Sequence, residues 1–272
     1  MRLQPSPATF LKAAAAPSGE CAPAHLVLER LGLAEPQEPV GAPLQRLPDQ
    51  AGYGTVIPLD QAYGAKGATT PAVLRRQANT AFASQIRALA TALSARADDD
   101  PTRTVVVASV ADAADASMVS ASLAVMCAIG GVGVALIDGN LGHPRLHSLF
   151  GLSNEFGLSN LLMEQHSARS VLKGCSIPGL AVMPAGPAVD GSAGLLLRER
   201  VFHRVAPVLV GLDLVIVDAA TLPPGLVAST AEGASDVIVA ARRHASSLRS
   251  LREMLEALGK DGEDNTSVLI LD

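Results

Sequence analysis

The chain has 272 residues, of which 49% are hydrophobic, 17% charged and 3% aromatic, and its formal net charge is −5. With a mean hydropathy of +0.31 it can fill a sizeable core, which excludes a wholly disordered protein. The acidic balance and the lack of a basic stripe exclude broad electrostatic binding to nucleic acid or to an anionic lipid surface.

Residues 1–72 are rich in Pro, Ala, Gly and Gln, with Pro36, Pro39, Pro43 and Pro48 punctuating a stretch of little periodicity. They read as a largely flexible segment with two sticky pieces, His25–Leu33 and Tyr53–Leu59, the second a short strand or a docking peptide. Pro5 and Pro7 interrupt the N-terminus and no apolar signal core follows, so no secretory signal is read and a cytoplasmic location is expected. Cys21, Cys127 and Cys175 are widely spaced and form no CxxC pair, which argues against a disulfide framework or a zinc site. Cys127 sits in an apolar run and reads as a core residue.

Residues 73–272 read as one folded domain. A helix is expected from Pro71 through Leu74, Ala78, Phe82, Ile86, Leu89 and Leu93, at spacings of three and four. Strand and helix then alternate. Thr104–Ala108 is a continuous apolar run, as a strand covered on both faces should be. Ser117–Ile129 reads as a helix and Val132–Ile137 as the next strand. Val119–Ile137 carries no charge over a length that could span a bilayer. Gly130 and Gly131 break it, however, into a buried helix, a turn and a buried strand. Short helical pieces follow near His143–Phe150 and Gly157–Glu164, then a strand at Leu180–Met183 and a helix at Gly194–Val205. Strands are expected at Leu212–Val217, Val237–Ala240 and Val268–Leu271. Between the last two lies an amphipathic helix, Ser246–Leu258, with Leu248, Leu251, Leu255 and Leu258 on its core face and Gly259 as C-cap. The pattern predicts an α/β fold: a doubly wound, mostly parallel sheet with helices on both faces.

In such a sheet, ligands bind outside the C-terminal ends of the strands. Three ends carry polar sequence: 109–117 (SVADAADAS), 138–146 (DGNLGHPRL) and 218–225 (DAATLPPG). His143, His147 and His166 have no matching carboxylates at metal-ligand spacing and read as loop histidines. Ser117 reads as a helix N-cap, since no histidine is placed to activate it as a nucleophile.

Taken together, VALIDGNLGHPRLHSLFGLSNEFGLSNLL (134–162), IPGLAVMPAGP (177–187) and DLVIVDAA (213–220) resemble the bacterial tyrosine kinase family, the cytoplasmic part of polysaccharide co-polymerases of the Wzc type. More distantly the chain resembles the deviant-Walker P-loop proteins that include MinD and ParA. The resemblance covers residues 82–272 and implies a P-loop nucleotide-binding fold, with the first strand end holding phosphates and the other two supplying carboxylates for Mg²⁺ and water.

The phosphate loop departs from that pattern. The family's loop reads roughly A-x-P-G-E-G-K-S, and Ala121–Val125 sets the register through the family's A-N-L-A-V. Asp112 then stands at the proline, Ala113 and Asp115 at glycines, Ala116 at the lysine and Ser117 at the serine. Glycines let backbone N–H groups close around a phosphate, and the lysine neutralises it. Ala116 removes that charge, and carboxylates about 6 Å from a triphosphate repel it by kcal/mol amounts at an effective dielectric of about 20. The family's two aspartates on the second strand end correspond to Asp138 and Asn140, and its third-strand carboxylate to Asp218. Asn140 can hydrogen-bond a metal-bound water but cannot act as a general base. Under the resemblance Asp138 and Asp218 are the Mg²⁺ ligands if that ion binds; the bland alternative for both is a polar strand end.

Two further family features are altered. The resemblance implies a tyrosine-rich C-terminal tail as autophosphorylation substrate, whereas this sequence runs to Asp272 and has its tyrosines at Tyr53 and Tyr63. The family's oligomerisation motif E-x-x-R-x-x-R falls on Ala81, Ser84 and Arg87, so only Arg87 remains. The expectation is a catalytically impaired kinase-like protein that binds no cofactor. It would act as scaffold or regulator of exopolysaccharide biosynthesis and export (capsule or holdfast type) with a Wzc-like membrane co-polymerase. It would be peripheral at the inner membrane only through that partner, with a homo-oligomer left open and neither nucleic acid nor direct membrane insertion involved. The rivals are an active ATP- and Mg²⁺-dependent tyrosine kinase or ATPase with a rearranged pocket, and a MinD/ParA-like positioning protein.

Overall fold

The computed structural model describes residues 56–59, 81–95, 102–110, 112–175, 177–189, 195, 205, 212–220, 222–243, 245–259 and 265–271. Most of the N-terminal segment, including the piece at 25–33 and both tyrosines, lies outside these residues, as do positions 71–80 of the first expected helix and nearly all of the helix expected at 194–205.

The elements in chain order are β1 (Val56–Leu59), α1 (Ala81–Ala95), β2 (Arg103–Ser109), α2 (Ala113–Ile129), β3 (Val134–Asp138), α3 (Leu146–Phe150), α4 (Leu158–Leu162), α5 (Ala168–Val171), β4 (Lys173–Gly174), β5 (Leu180–Met183), β6 (Leu214–Asp218), α6 (Pro224–Ala231), β7 (Asp236–Arg242), α7 (Leu248–Leu258) and β8 (Thr266–Leu271). The strands form one sheet in the order β1-β8-β7-β2-β6-β3-β5-β4. Every described pairing is parallel except the short β4–β5 contact.

Successive strand residues face opposite sides of a sheet, and here both sides are covered. Val105, Val107, Leu136, Val182, Ile216 and Ile238 join one core with α1 and α2. Val106, Ile137, Met183, Val215, Val217 and Val239 join the other with α4, α5 and α7. That is why the strands read as uninterrupted apolar runs. The doubly wound, mostly parallel architecture expected from the sequence is the one observed. The uncharged run 119–137 is the end of α2, a turn at Gly130–Gly131 (φ +91° at Gly131) and β3. Among the described residues, no helix is long and apolar enough to cross a membrane. Val56–Leu59 takes the strand option of its two readings, alongside β8.

The leucine face expected on α7 is corrected. Ser247 caps the helix, its Oγ accepting from Ser250 N–H at 3.0 Å, and Gly259 ends it as expected. The buried line, however, runs through Leu251, Met254 and Leu258, whereas Leu248 is 85% exposed and Leu255 37%. At 3.6 residues per turn, Leu248 lies about 90° from the centre of that line. A Leu248→Ser change is expected to shift the unfolding free energy by less than about 0.5 kcal/mol, and Met254→Ala to cost about 2–5 kcal/mol, as read by urea denaturation.

Candidate functional site

The C-terminal ends of β2, β3, β6 and β7 converge on one edge of the sheet. The first connection is shorter than the sequence suggests. The strand-like pairing runs on to Val110, whose N–H donates to the Ala240 carbonyl at 3.1 Å, and α2 starts at Ala113 rather than Ser117. Asp112 closes the turn by accepting the Asp115 N–H at 3.0 Å. Three residues, 110–112, therefore connect strand to helix. Ala113, Asp115 and Ala116, expected in a loop, form the first turn of a helix. The reason is composition: alanine stands where a phosphate loop has glycine, and alanine is the strongest helix former. Ala116 is fully buried and Ser117 nearly so.

Asp115 is also buried, with 3% side-chain exposure, and is held by Arg242 at the end of β7. Arg242 Nε donates to Asp115 Oδ2 at 3.1 Å, and Nη2 donates to Oδ1. Nothing local in the sequence foretells this pair, since its members are 127 positions apart.

Asp138 and Asp218 are register partners on β3 and β6, which places their Cα atoms roughly 4.8 Å apart. Both are fully buried. Asp138 Oδ2 accepts the N–H groups of Arg145 (3.1 Å) and Leu146 (3.0 Å), and Oδ1 that of Asn140 (3.2 Å). The carboxylate thus caps the start of α3. Burial nevertheless pushes its pKa up to about 7, against the pull of those three backbone N–H groups. Asp218 is pushed well above the carboxylate range by burial first and the Asp138 charge second. The Ala220 N–H donating to its Oδ1 at 3.1 Å, the nearby Ser117 hydroxyl and the Arg145 charge oppose this. Asp218 Oδ2 and Ser117 Oγ are sealed from solvent and neither makes a hydrogen bond of ordinary geometry. Asn140 spends its amide on its own turn, with Nδ2 donating to the His143 carbonyl at 2.8 Å and Oδ1 accepting the His143 N–H at 3.1 Å. Among the described residues, no group of three His, Cys, Asp or Glu could hold a metal ion.

The fit to a Mg²⁺–nucleotide therefore divides. The metal half is retained in kind, with Ser117, Asp138 and Asp218 from three neighbouring elements. The phosphate half does not fit: no glycine loop is present to wrap an oxyanion, Ala116 carries no charge, and the first turn of α2 already carries an ion-paired carboxylate.

A second polar cluster, which no local sequence signal foretells, underlies the segments 154–160 and 184–187. The N–H groups of Leu158 and Ser159 donate to the carbonyls of Pro184 and Ala185, both at 2.8 Å. Asn154 pairs with Gly186 in both directions, at 2.7 and 2.9 Å. Asn160 Oδ1 accepts the Gly157 N–H at 3.0 Å, and Ser159 Oγ donates to the Pro187 carbonyl at 3.1 Å. Gly186 has φ +85°. The FGLSN and PAGP segments form one interlock whose role is to hold α4 on β5.

No family model matches the chain. Curated relatives do. One is the "Putative tyrosine-protein kinase EpsB" of Ralstonia nicotianae, 31% identical over 177 residues, covering 64% of this chain and 23% of that protein. Another is the "Tyrosine-protein kinase YwqD" of Bacillus subtilis, 28% identical over 148 residues, covering 54% of this chain and 61% of the relative. The chain thus spans 23% of the length of the Ralstonia relatives it matches. Among solved structures, the kinase domain of the Escherichia coli tyrosine kinase ETK superposes with a TM-score of 0.64 at 24% identity, covering 80% of this chain and 87% of that one. The chimerical protein CapA2B2 superposes at 0.60 and 23%, covering 73% and 88%. At such identities the structural likeness speaks for the fold. In sequence this chain is thus similar to proteins named as bacterial tyrosine-protein kinases, and it shares the fold of their kinase domains.

Proposed function

We propose that this chain is a catalytically impaired member of the tyrosine-kinase group, a pseudokinase with a degenerate Walker A segment. In this reading it works in the cytoplasm as scaffold or regulator of exopolysaccharide biosynthesis and export. Its partner is a Wzc-like membrane co-polymerase, through which it is peripheral to the inner membrane. The observation that carries the reading is the helical first turn at Ala113–Ala116, which takes up the residues a phosphate loop would need and buries Asp115 on Arg242. A buried, ion-paired carboxylate and a triphosphate do not share one seat. Positioning proteins driven by nucleotide need the same seat, so the observation weighs against that rival as well.

Calorimetry of the purified chain with ATP and ADP, with and without Mg²⁺, tests this. The native protein is expected to show no binding. The comparison is the double variant Ala116→Lys, Asp115→Gly, which restores one charge and one glycine. Micromolar, Mg²⁺-dependent binding by the native protein would sink the proposal.

One observation favours a second reading, an active ATPase or tyrosine kinase with a rearranged pocket: the Asp218 carboxylate and the Ser117 hydroxyl lie side by side, sealed from solvent, and Asp218 Oδ2 and Ser117 Oγ make no hydrogen bond of ordinary geometry. Loss of Mg²⁺-dependent hydrolysis in Asp218→Ala, measured with the membrane partner present, is the result that reading requires.

A further inference from the structure

Helix α7 is charged against its own dipole. A helix favours acidic residues in its first turn and basic ones in its last. The exposed residues of α7 follow the opposite order: Arg249 and Arg252 come before Glu253 and Glu256, with no acid in the first turn and no base in the last. Arg249 Nε donates to Glu253 Oε1 at 2.9 Å. This too is the less favourable order, since the acid of an i, i+4 pair stabilises a helix better from the N-terminal side. Two exposed leucines accompany the charges. Leu248 and Leu255, 85% and 37% exposed, are seven residues apart and lie about 20° from each other around the helix. Arg252, also exposed, stands between them. The sheet holds the other side of α7 through Leu251, Met254 and Leu258. Helix α1, on which the family's oligomerisation motif would fall, packs into the opposite core.

We propose that the Leu248–Leu255 stripe is the contact of a two-fold dimer in which α7 packs antiparallel on α7 of a second copy. In such a contact residue i meets j and j meets i. Pairing about a point midway between the leucines sets Leu248 of one copy against Leu255 of the other, twice. It also brings Arg249 of one copy beside Glu256 of the other, twice. The charge order that opposes the helix dipole is thus self-complementary in the antiparallel pair, whereas parallel pairing sets arginine on arginine. The two Arg252 side chains meet beside the axis, and the helix is only about 16 Å long. Repulsion there and a contact smaller than a standard interface make the dimer a weak one. The competing account is that the two leucines are separate surface residues with no partner.

The test is sedimentation velocity of the full chain from about 5 to about 500 µM, with Leu248→Ser, Leu255→Ser, Arg249→Glu and Glu256→Arg. The native chain is expected to pass from monomer to dimer with no larger species. Each of the four substitutions alone should weaken the association at least about tenfold. All four positions are exposed, so circular dichroism melts should stay within a few degrees of native. The equimolar mixture of Arg249→Glu with Glu256→Arg separates this contact from general stickiness. In the mixed pair acid faces base at both ends, so the mixture should dimerise within about threefold of the native constant. Three results overturn the proposal: a native chain that stays monomeric throughout, association that both leucine substitutions leave unchanged, or a mixture that pairs no more tightly than either variant alone. Monomeric behaviour with Leu248→Cys shielded from alkylation would assign the face to another segment of the same chain. The inference does not rest on the scaffold reading: nucleotide binding by the native chain would sink that reading and leave this contact standing.

Discussion

Gly157→Ala is expected to destabilise the protein by more than about 3 kcal/mol, within the tail of point-mutant effects that has a steric cause. A Cβ at Gly157 would lie 2.1 Å from the Pro184 carbonyl oxygen, 2.3 Å from Gly186 N and 2.6 Å from the Ala185 carbonyl carbon. All three are backbone atoms, so no side chain can swing away. They also belong to the strand exit that accepts the Leu158 and Ser159 N–H groups, so relief of the clash breaks the interlock. For a domain of this size the fall in Tm should be roughly 6–12 °C. Gly225→Ala is the control. Gly225 lies in α6, no atom outside its own helix approaches within 4 Å of its Cβ position, and alanine there should add about 0.5–1 kcal/mol. Equal effects of the two substitutions in urea denaturation would show that the packing of 157 on 184–186 does not limit stability.

Asp218→Asn is expected to stabilise the protein at alkaline pH and to flatten the dependence of stability on pH. Asp138 and Asp218 both have folded-state pKa values raised above the unfolded value of 3.8, Asp138 to about 7 and Asp218 well upward. The folded state therefore binds more protons than the unfolded state. The stability this contributes is fully present below about pH 3.8 and is lost as pH rises through the folded values. Each such proton corresponds to about 1.4 kcal/mol per pH unit across its window. Asparagine keeps the oxygen that accepts the Ala220 N–H and removes one buried charge. The gain over native should be about 1–3 kcal/mol at pH 8 and should vanish near pH 4. Asp138→Asn should behave in the opposite way. It leaves a single oxygen for the N–H groups of Asn140, Arg145 and Leu146, and the start of α3 loses part of its cap. Denaturant titrations of the three proteins between pH 4 and 8 read both effects. A native chain that gains stability from millimolar Mg²⁺ at pH 8 would reassign the pair to metal binding.

The stability expected from Asp218→Asn reflects the cost of a buried charge, of the kind that functional sites carry. In the scaffold reading, β3 and β6 retain two carboxylates that no longer face a ligand, and their raised pKa values mean that protonation offsets part of the cost of their burial. The Asp115–Arg242 pair answers the same problem at the next strand end, by pairing rather than by protonation.

The strands were legible in the sequence because a strand buried on both faces needs an apolar residue at every position, and the runs at 104–108, 134–137, 180–183 and 214–217 supply that without reference to anything distant. The same holds for the turn at Gly130–Gly131, the cap at Gly259, and the placing of Asp138 and Asp218 at strand ends. Helix α6 carries a start signal in Pro224 at its first turn, but its eight residues are too few to show a period. What only the tertiary structure decided rests on contacts between residues far apart in the chain. The partner of Asp115 is 127 positions away on β7. Gly157 is required by a strand exit about 27 residues later. Leu248 is exposed because the rotation of α7 on the sheet, which local amphipathicity leaves free within a quarter turn, is settled by Met254 in the core. The start of α2 lies between the two cases: its alanines carry the helical preference, and the ion pair of Asp115 with Arg242 on β7 fixes it in place. Local pattern specifies which segments are helix or strand, whereas burial, ion pairing and backbone clash depend on which segments the sheet order brings side by side.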